Sequence, residues 1–176
     1  VVEMALPAML PGILVALHYA LQVLRPRWGY GSDVSGRRTP WIVGGIATLA
    51  VGGIGAAVAT AVMGTNLAAG VLLGIAAFTL IGIGVGAAGT NLLALLATRV
   101  APERRPAAAT IVWLMMIAGF VVTTVIVGNL LDPFTPMRLV VVTSAVSVVA
   151  MLMALAGIWK IEGPAAPVAT AAVRPV

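Results

Sequence analysis

Five stretches of this chain carry no Asp, Glu, Lys or Arg: 7–24, 41–63, 69–97, 107–131 and 139–159. Each is about 18 residues or longer, the length a helix needs to cross a hydrocarbon core of about 30 Å. Such a chain cannot clothe a water-facing surface. Charged residues make up 9% of it and the mean hydropathy is +1.14, against about 25% charged residues in soluble domains. The sequence therefore predicts an all-α membrane protein with about five transmembrane helices, spanning roughly residues 1–160. At about 1.5 Å per residue the second stretch is about 34 Å long, and the third, at about 45 Å, must tilt or protrude.

The breaks between stretches carry helix-start chemistry. Thr39–Pro40 precedes the second and Thr135–Pro136 the fifth; a threonine hydroxyl caps free N–H groups, and proline loses nothing in a first helical turn. Residues 161–176 are rich in Pro and Ala with no usable period, and a disordered tail is expected there.

Charge placement gives sidedness and excludes a class of partner. The net charge of +5 is not a groove-tracking basic face, so nucleic acid is not expected. Arg25, Arg27, Arg37 and Arg38 follow the first stretch, Arg99, Arg104 and Arg105 the third, and Lys160 the fifth. If every stretch crosses, these connections share one side, and the excess of basic residues makes that side cytoplasmic. Residue 1 then lies outside, and the expectation is that at least one further span precedes it. The chain has no cysteine, which excludes disulfides and thiolate metal sites and says nothing of the compartment.

The first basic connection reads Gly29-Tyr-Gly-Ser-Asp33-Val-Ser-Gly36-Arg37-Arg38. Glycines suit a tight reversal, Asp33 suits the positive end of a neighbouring helix, and Arg37 and Arg38 anchor the loop and pair with Asp33. This G-x-x-x-D-x-x-G-R-R spacing resembles the loop signature of the major facilitator superfamily, found between the second and third helices of a six-helix half. On that resemblance the five spans are helices two to six of an N-terminal half. A narrower likeness rests on Glu3-Met-Ala-Leu-Pro7, Leu24-Arg-Pro-Arg-Trp-Gly29, Arg37-Arg-Thr-Pro-Trp41, Gly82–Asn91 and Ala109–Phe120. These segments resemble the PucC-type branch of the superfamily. The resemblance implies bacteriochlorophyll delivery or light-harvesting complex assembly in the inner membrane of a phototroph, with light-harvesting or reaction-centre subunits as partners beside the lipid bilayer.

Few residues within the spans suit a site. His18 is the single histidine, with Gln22 four residues on along the same helical face; ionisable residues inside a membrane are functional candidates. For a pigment-handling family the implied role is an imidazole nitrogen on the magnesium of bacteriochlorophyll. The plainer alternative is a histidine bonded to Gln22, a carbonyl or interfacial water. Thr90 and Asn91 suit interhelical hydrogen bonds or a cavity wall. Gly84-Val-Gly86-Ala-Ala-Gly89 matches a dinucleotide fingerprint but lies inside an apolar span without the required strand. The small residues at Gly70 and Gly74 and at Gly82 and Gly86 instead suit close helix packing. Trp113, Met115, Met116 and Phe120 form an adaptable apolar face for lipid, core, pigment or a partner helix, and Trp28, Trp41 and Trp159 suit an aromatic belt. All five acidic residues lie outside the apolar interiors, so no catalytic set or metal cluster is assembled and no enzyme is expected. A small-solute transporter of the same superfamily, or a structural subunit of a photosynthetic complex, are the alternative readings.

Overall fold

The computed structural model describes residues 9–162, and every regular element among them is helical. They are α1 (Met9–Ala20), α2 (Arg25–Ser35), α3 (Thr39–Met63), α4 (Leu67–Arg99), α5 (Arg105–Leu130) and α6 (Pro136–Ile158). Single 3-10 turns at Leu21–Leu24 and Pro102–Arg104 precede α2 and α5. Four helices are long and apolar enough to cross a membrane: α3, α4, α6, and α5 with the turn before it. Expected residues 163–176 of the tail, and Glu3 and Pro7 of the family segments, lie outside the described residues.

The first apolar stretch differs from the expected single span. Its helix tightens at Leu21–Leu24 because Pro26 has no N–H to give the Gln22 carbonyl; the Arg25 N–H takes that carbonyl instead. The chain then stays helical through most of the expected loop. Gly29, Ser32 and Asp33 therefore sit on α2, and the reversal waits for Gly36, whose φ of +67° ends the helix. Glycines at 29 and 31 each cost a helix about 1 kcal/mol. Packing outweighs them: Ser32 is buried and the Trp28 ring lies over Gly86 of α4.

The tightest contact is the antiparallel pair α3 and α4. Gly45, Gly52 and Ala59 recur every seven residues on α3, and Gly70, Ala77, Gly84 and Asn91 on α4; all are buried. A Cβ on Gly84 would lie 2.5 Å from the Leu49 nitrogen, and one on Gly45 2.5 Å from the Ala88 nitrogen. The two backbones touch with no side chain between them, as small residues permit in lipid. At Gly70 the Met63 backbone and side chain fill the space in the same way. The glycine pattern is thus a packing device, and the fingerprint-like Gly84–Gly89 run lies in mid-helix with no strand before it.

A second face of α4 receives α1 and α2. Gly82 meets the Leu21 side chain and the His18 carbonyl, Gly86 meets Trp28, and the Thr90 methyl meets Gly29. Trp41 likewise packs over Gly31 and donates from Nε1 to Ser35 Oγ at 3.3 Å. Trp28 and Trp41 are packing residues here, while Trp159 stays exposed. No residue of α5 is buried, and Val142 alone is buried on α6. Trp113, Met115, Met116 and Phe120 all face outward. The core option for that face is therefore not realised among the described residues.

Candidate functional site

His18 and Gln22 meet α4 where Gly82 lets the backbones close. Gln22 Nε2 donates to the carbonyl oxygens of His18, at 3.3 Å, and of Gly82, at 3.1 Å. Arg25 Nε donates to Gln22 Oε1 at 2.8 Å. Gln22 thus bridges two helices and satisfies both ends of its amide, as a polar group in a membrane must. It reaches the His18 backbone, not the imidazole. The ring is half-buried, stands edge-on to Tyr19 with centroids 4.9 Å apart, and encloses its Nδ1 without a hydrogen-bond partner among the described residues.

Asn91 stands apart from this pair, nine residues beyond Gly82 and so about 13 Å along α4. It is 0% exposed. Its Nδ2 donates to the Ala87 carbonyl at 2.8 Å, within its own helix, while its Oδ1 and the neighbouring Thr90 Oγ1 are buried with no partner. The expected hydrogen bond between helices is not made by either group among the described residues.

The Gly29–Arg38 segment forms a polar node at one end of the bundle. Arg38 Nη2 pairs with Asp33 Oδ1 at 2.7 Å, as expected, and this is the one ion pair among the described residues. Asp33 was also expected to face a helix N-terminus, and there the structure corrects the sequence. The start of α3 is capped from the far end of the chain. The Arg38 N–H donates to both Glu162 carboxylate oxygens, at 2.9 and 3.0 Å, and the Thr39 N–H donates to Oε2 at 2.7 Å. The Thr39 hydroxyl makes no cap, although the matching Thr135 does, accepting from the Arg138 N–H at 3.1 Å. Ile161 and Glu162, expected in a disordered tail, therefore include an anchored carboxylate.

Partial burial works to raise the Glu162 carboxyl, but hydrogen bonds from Thr39 and Arg38 and the charge of Arg99 hold it below the usual carboxylate value. The cap therefore keeps its charge at neutral pH and is lost as pH falls through that lowered value. Arg37 stays exposed, its carbonyl accepting from Ser35 Oγ at 3.1 Å. Among the described residues no three His, Cys, Asp or Glu side chains gather as metal ligands. Sequence reasoning missed Glu162, since no local pattern links residues so far apart.

Four long apolar helices, one with glycine-tight seams to its neighbour, define a multi-pass membrane protein. The chain belongs to the PUCC protein family, which it matches over residues 1–173. It is 51% identical over 162 residues to the bacteriochlorophyll synthase 44.5 kDa chain of Rhodobacter capsulatus. It is 31% identical to Protein PucC of Rhodobacter capsulatus and 30% identical to Protein PucC of Cereibacter sphaeroides. Each alignment covers 92% of this chain and 38% of the relative, so the chain spans about two fifths of the length of these relatives. No solved structure matches it.

Proposed function

We propose that this chain acts in the assembly of light-harvesting complexes in the bacterial inner membrane, and that it handles bacteriochlorophyll in doing so. The observation that carries the reading is membership of the PUCC family, with a relative at 51% identity whose name includes bacteriochlorophyll. The loop resemblance to the major facilitator superfamily belongs to the same proposal, with 1–160 as one helical bundle. In this reading the chain binds and passes on its cargo and breaks no bond.

His18 is the residue best suited to the pigment. Its Nδ1 is enclosed, so coordination of a bacteriochlorin magnesium falls to Nε2. Gln22, bonded to the His18 carbonyl and to Gly82, fixes the turn that presents the ring. Asn91, with an unpartnered buried Oδ1, would join the pigment site only if α4 opened to expose it, and light-harvesting or reaction-centre subunits are the partners that receive the pigment. The test is to purify wild type and His18→Leu in mild detergent from cells making bacteriochlorophyll. Near-infrared pigment absorption should follow the wild-type protein and be lost from His18→Leu at unchanged helical circular dichroism. Equal pigment on both proteins would remove His18 from the role, and none on the wild type would remove pigment handling.

A further inference from the structure

We infer that Glu162 is a latch that fastens the end of α6 to the turn between α2 and α3, so that its release frees α5 and α6 to shift against α1–α4. This inference does not rest on the assembly reading. It rests on a contrast between how α4 and α6 are held.

The α3–α4 seam is backbone on backbone, with Gly45, Gly52 and Gly84 leaving no room for a methyl group. The α3–α6 seam is different. It contains an apolar gap of about 250 Å³, bounded by Ala47 and Ile54 on α3 and Ser147 and Met151 on α6. On its other side α6 is separated from α5 by a groove of about 470 Å³ between Gly119, Thr123 and Val127 and Ala145, Val149 and Met153. Both are open to the surface, so fewer atoms of α6 meet its neighbours than meet across the backbone-on-backbone seam; dispersion grows with such contacts, and the apolar faces hold α6 less firmly than they hold α4. Small sliding movements of packed helices occur at seams of this loose kind.

At its end α6 is held by chemistry of another sort. The first N–H groups of a helix have no partner inside it, and its N-terminus carries a partial positive charge. Glu162 supplies a carboxylate to two of those N–H groups on α3, across 123 and 124 residues of chain. The same Arg38 whose N–H is taken by Glu162 holds Asp33 of α2 through its guanidinium. One residue thus ties the ends of α2, α3 and α6 together. The tie is polar and only partly buried, so it is made and broken by exchange with water at little cost compared with opening the glycine seam.

The chain has no cysteine, which makes paired labels unambiguous. Spin labels at Val34→Cys, exposed on α2, and Gly157→Cys, where a Cβ meets nothing within 4 Å, report the distance across the latch. A narrow short-distance population is expected in the otherwise wild-type chain, and Glu162→Ala should lose it. Asp33→Asn should keep it, since the Arg38 and Thr39 N–H groups still donate to Glu162. In a separate sample without the spin labels, a Gly55→Cys and Ala77→Cys pair, 3.3 Å from the ideal Gly55 Cβ to the Ala77 Cβ, monitors the α3–α4 seam by disulfide formation. Loss of the short distance while that disulfide still forms establishes the latch. An unchanged distance distribution in Glu162→Ala overturns it, as does an equal loss in Asp33→Asn.

Discussion

Replacing Gly84 with leucine will lower the stability of the helix bundle by about 3 kcal/mol, the upper end of the usual cost of overpacking. The reason is geometric. A Cβ at this position lies 2.5 Å from the Leu49 nitrogen and 2.6 Å from the Gly45 carbonyl oxygen. Those atoms are backbone, so no rotamer change relieves the clash and α3 must move off α4 as a body. Gly52 and Gly45 form the rest of the same seam, and the displacement therefore uncouples it along its length. Gly89→Leu on the same helix is the control, because a Cβ there meets nothing within 4 Å and a helix gains by losing a glycine; it should be at least as stable as wild type. Thermal or denaturant unfolding in one detergent compares the pair, and equal stability of the two variants would refute the backbone seam.

Asn91→Asp will be nearly as costly, up to about 3 kcal/mol on membrane-insertion scales for a carboxylate. Asn91 is fully enclosed, and its amide finds one acceptor, the Ala87 carbonyl of its own helix. An aspartate there loses that donor, has no cation beside it among the described residues, and has no route for a short side chain to reach water. Asn91→Leu removes an amide that ties no two helices together, and should cost clearly less than Asn91→Asp in the same unfolding measurement. The reverse order would mean that the amide bridges helices after all.

The all-helical membrane fold was legible because lipid imposes a coarse rule: stretches without charge, long enough to cross, must satisfy their backbone as helices. Glycines at 70, 74, 82 and 86 were readable as packing for the same reason, whereas Gly45 and Gly52 on α3 stood in no pattern that singled them out. The Asp33–Arg38 pair was legible because it is local. The rest was not written in local pattern. Gly29, Gly31, Gly36 and Pro26 look like a loop, and the helix that actually carries the first two depends on Trp28 and Gly29 finding α4. Thr39 looks like the cap of α3, as Thr135 is of α6, yet a carboxylate from the other end of the chain takes that place. Glu162 itself resembles any solvated acid in a Pro/Ala-rich stretch. The outward stance of Trp113, Met115 and Phe120 was undetermined for a different reason: in a membrane the lipid-facing and core-facing sides of a helix are equally apolar, so hydropathy does not separate them.

Antenna assembly is the proposed role, and the direct measurement is the near-infrared absorption of a phototroph from which the gene for this chain has been deleted. Light-harvesting bands should fall relative to the parent strain and return when the wild-type gene is restored. Antenna bands that appear at the parental level and rate after deletion would contradict it.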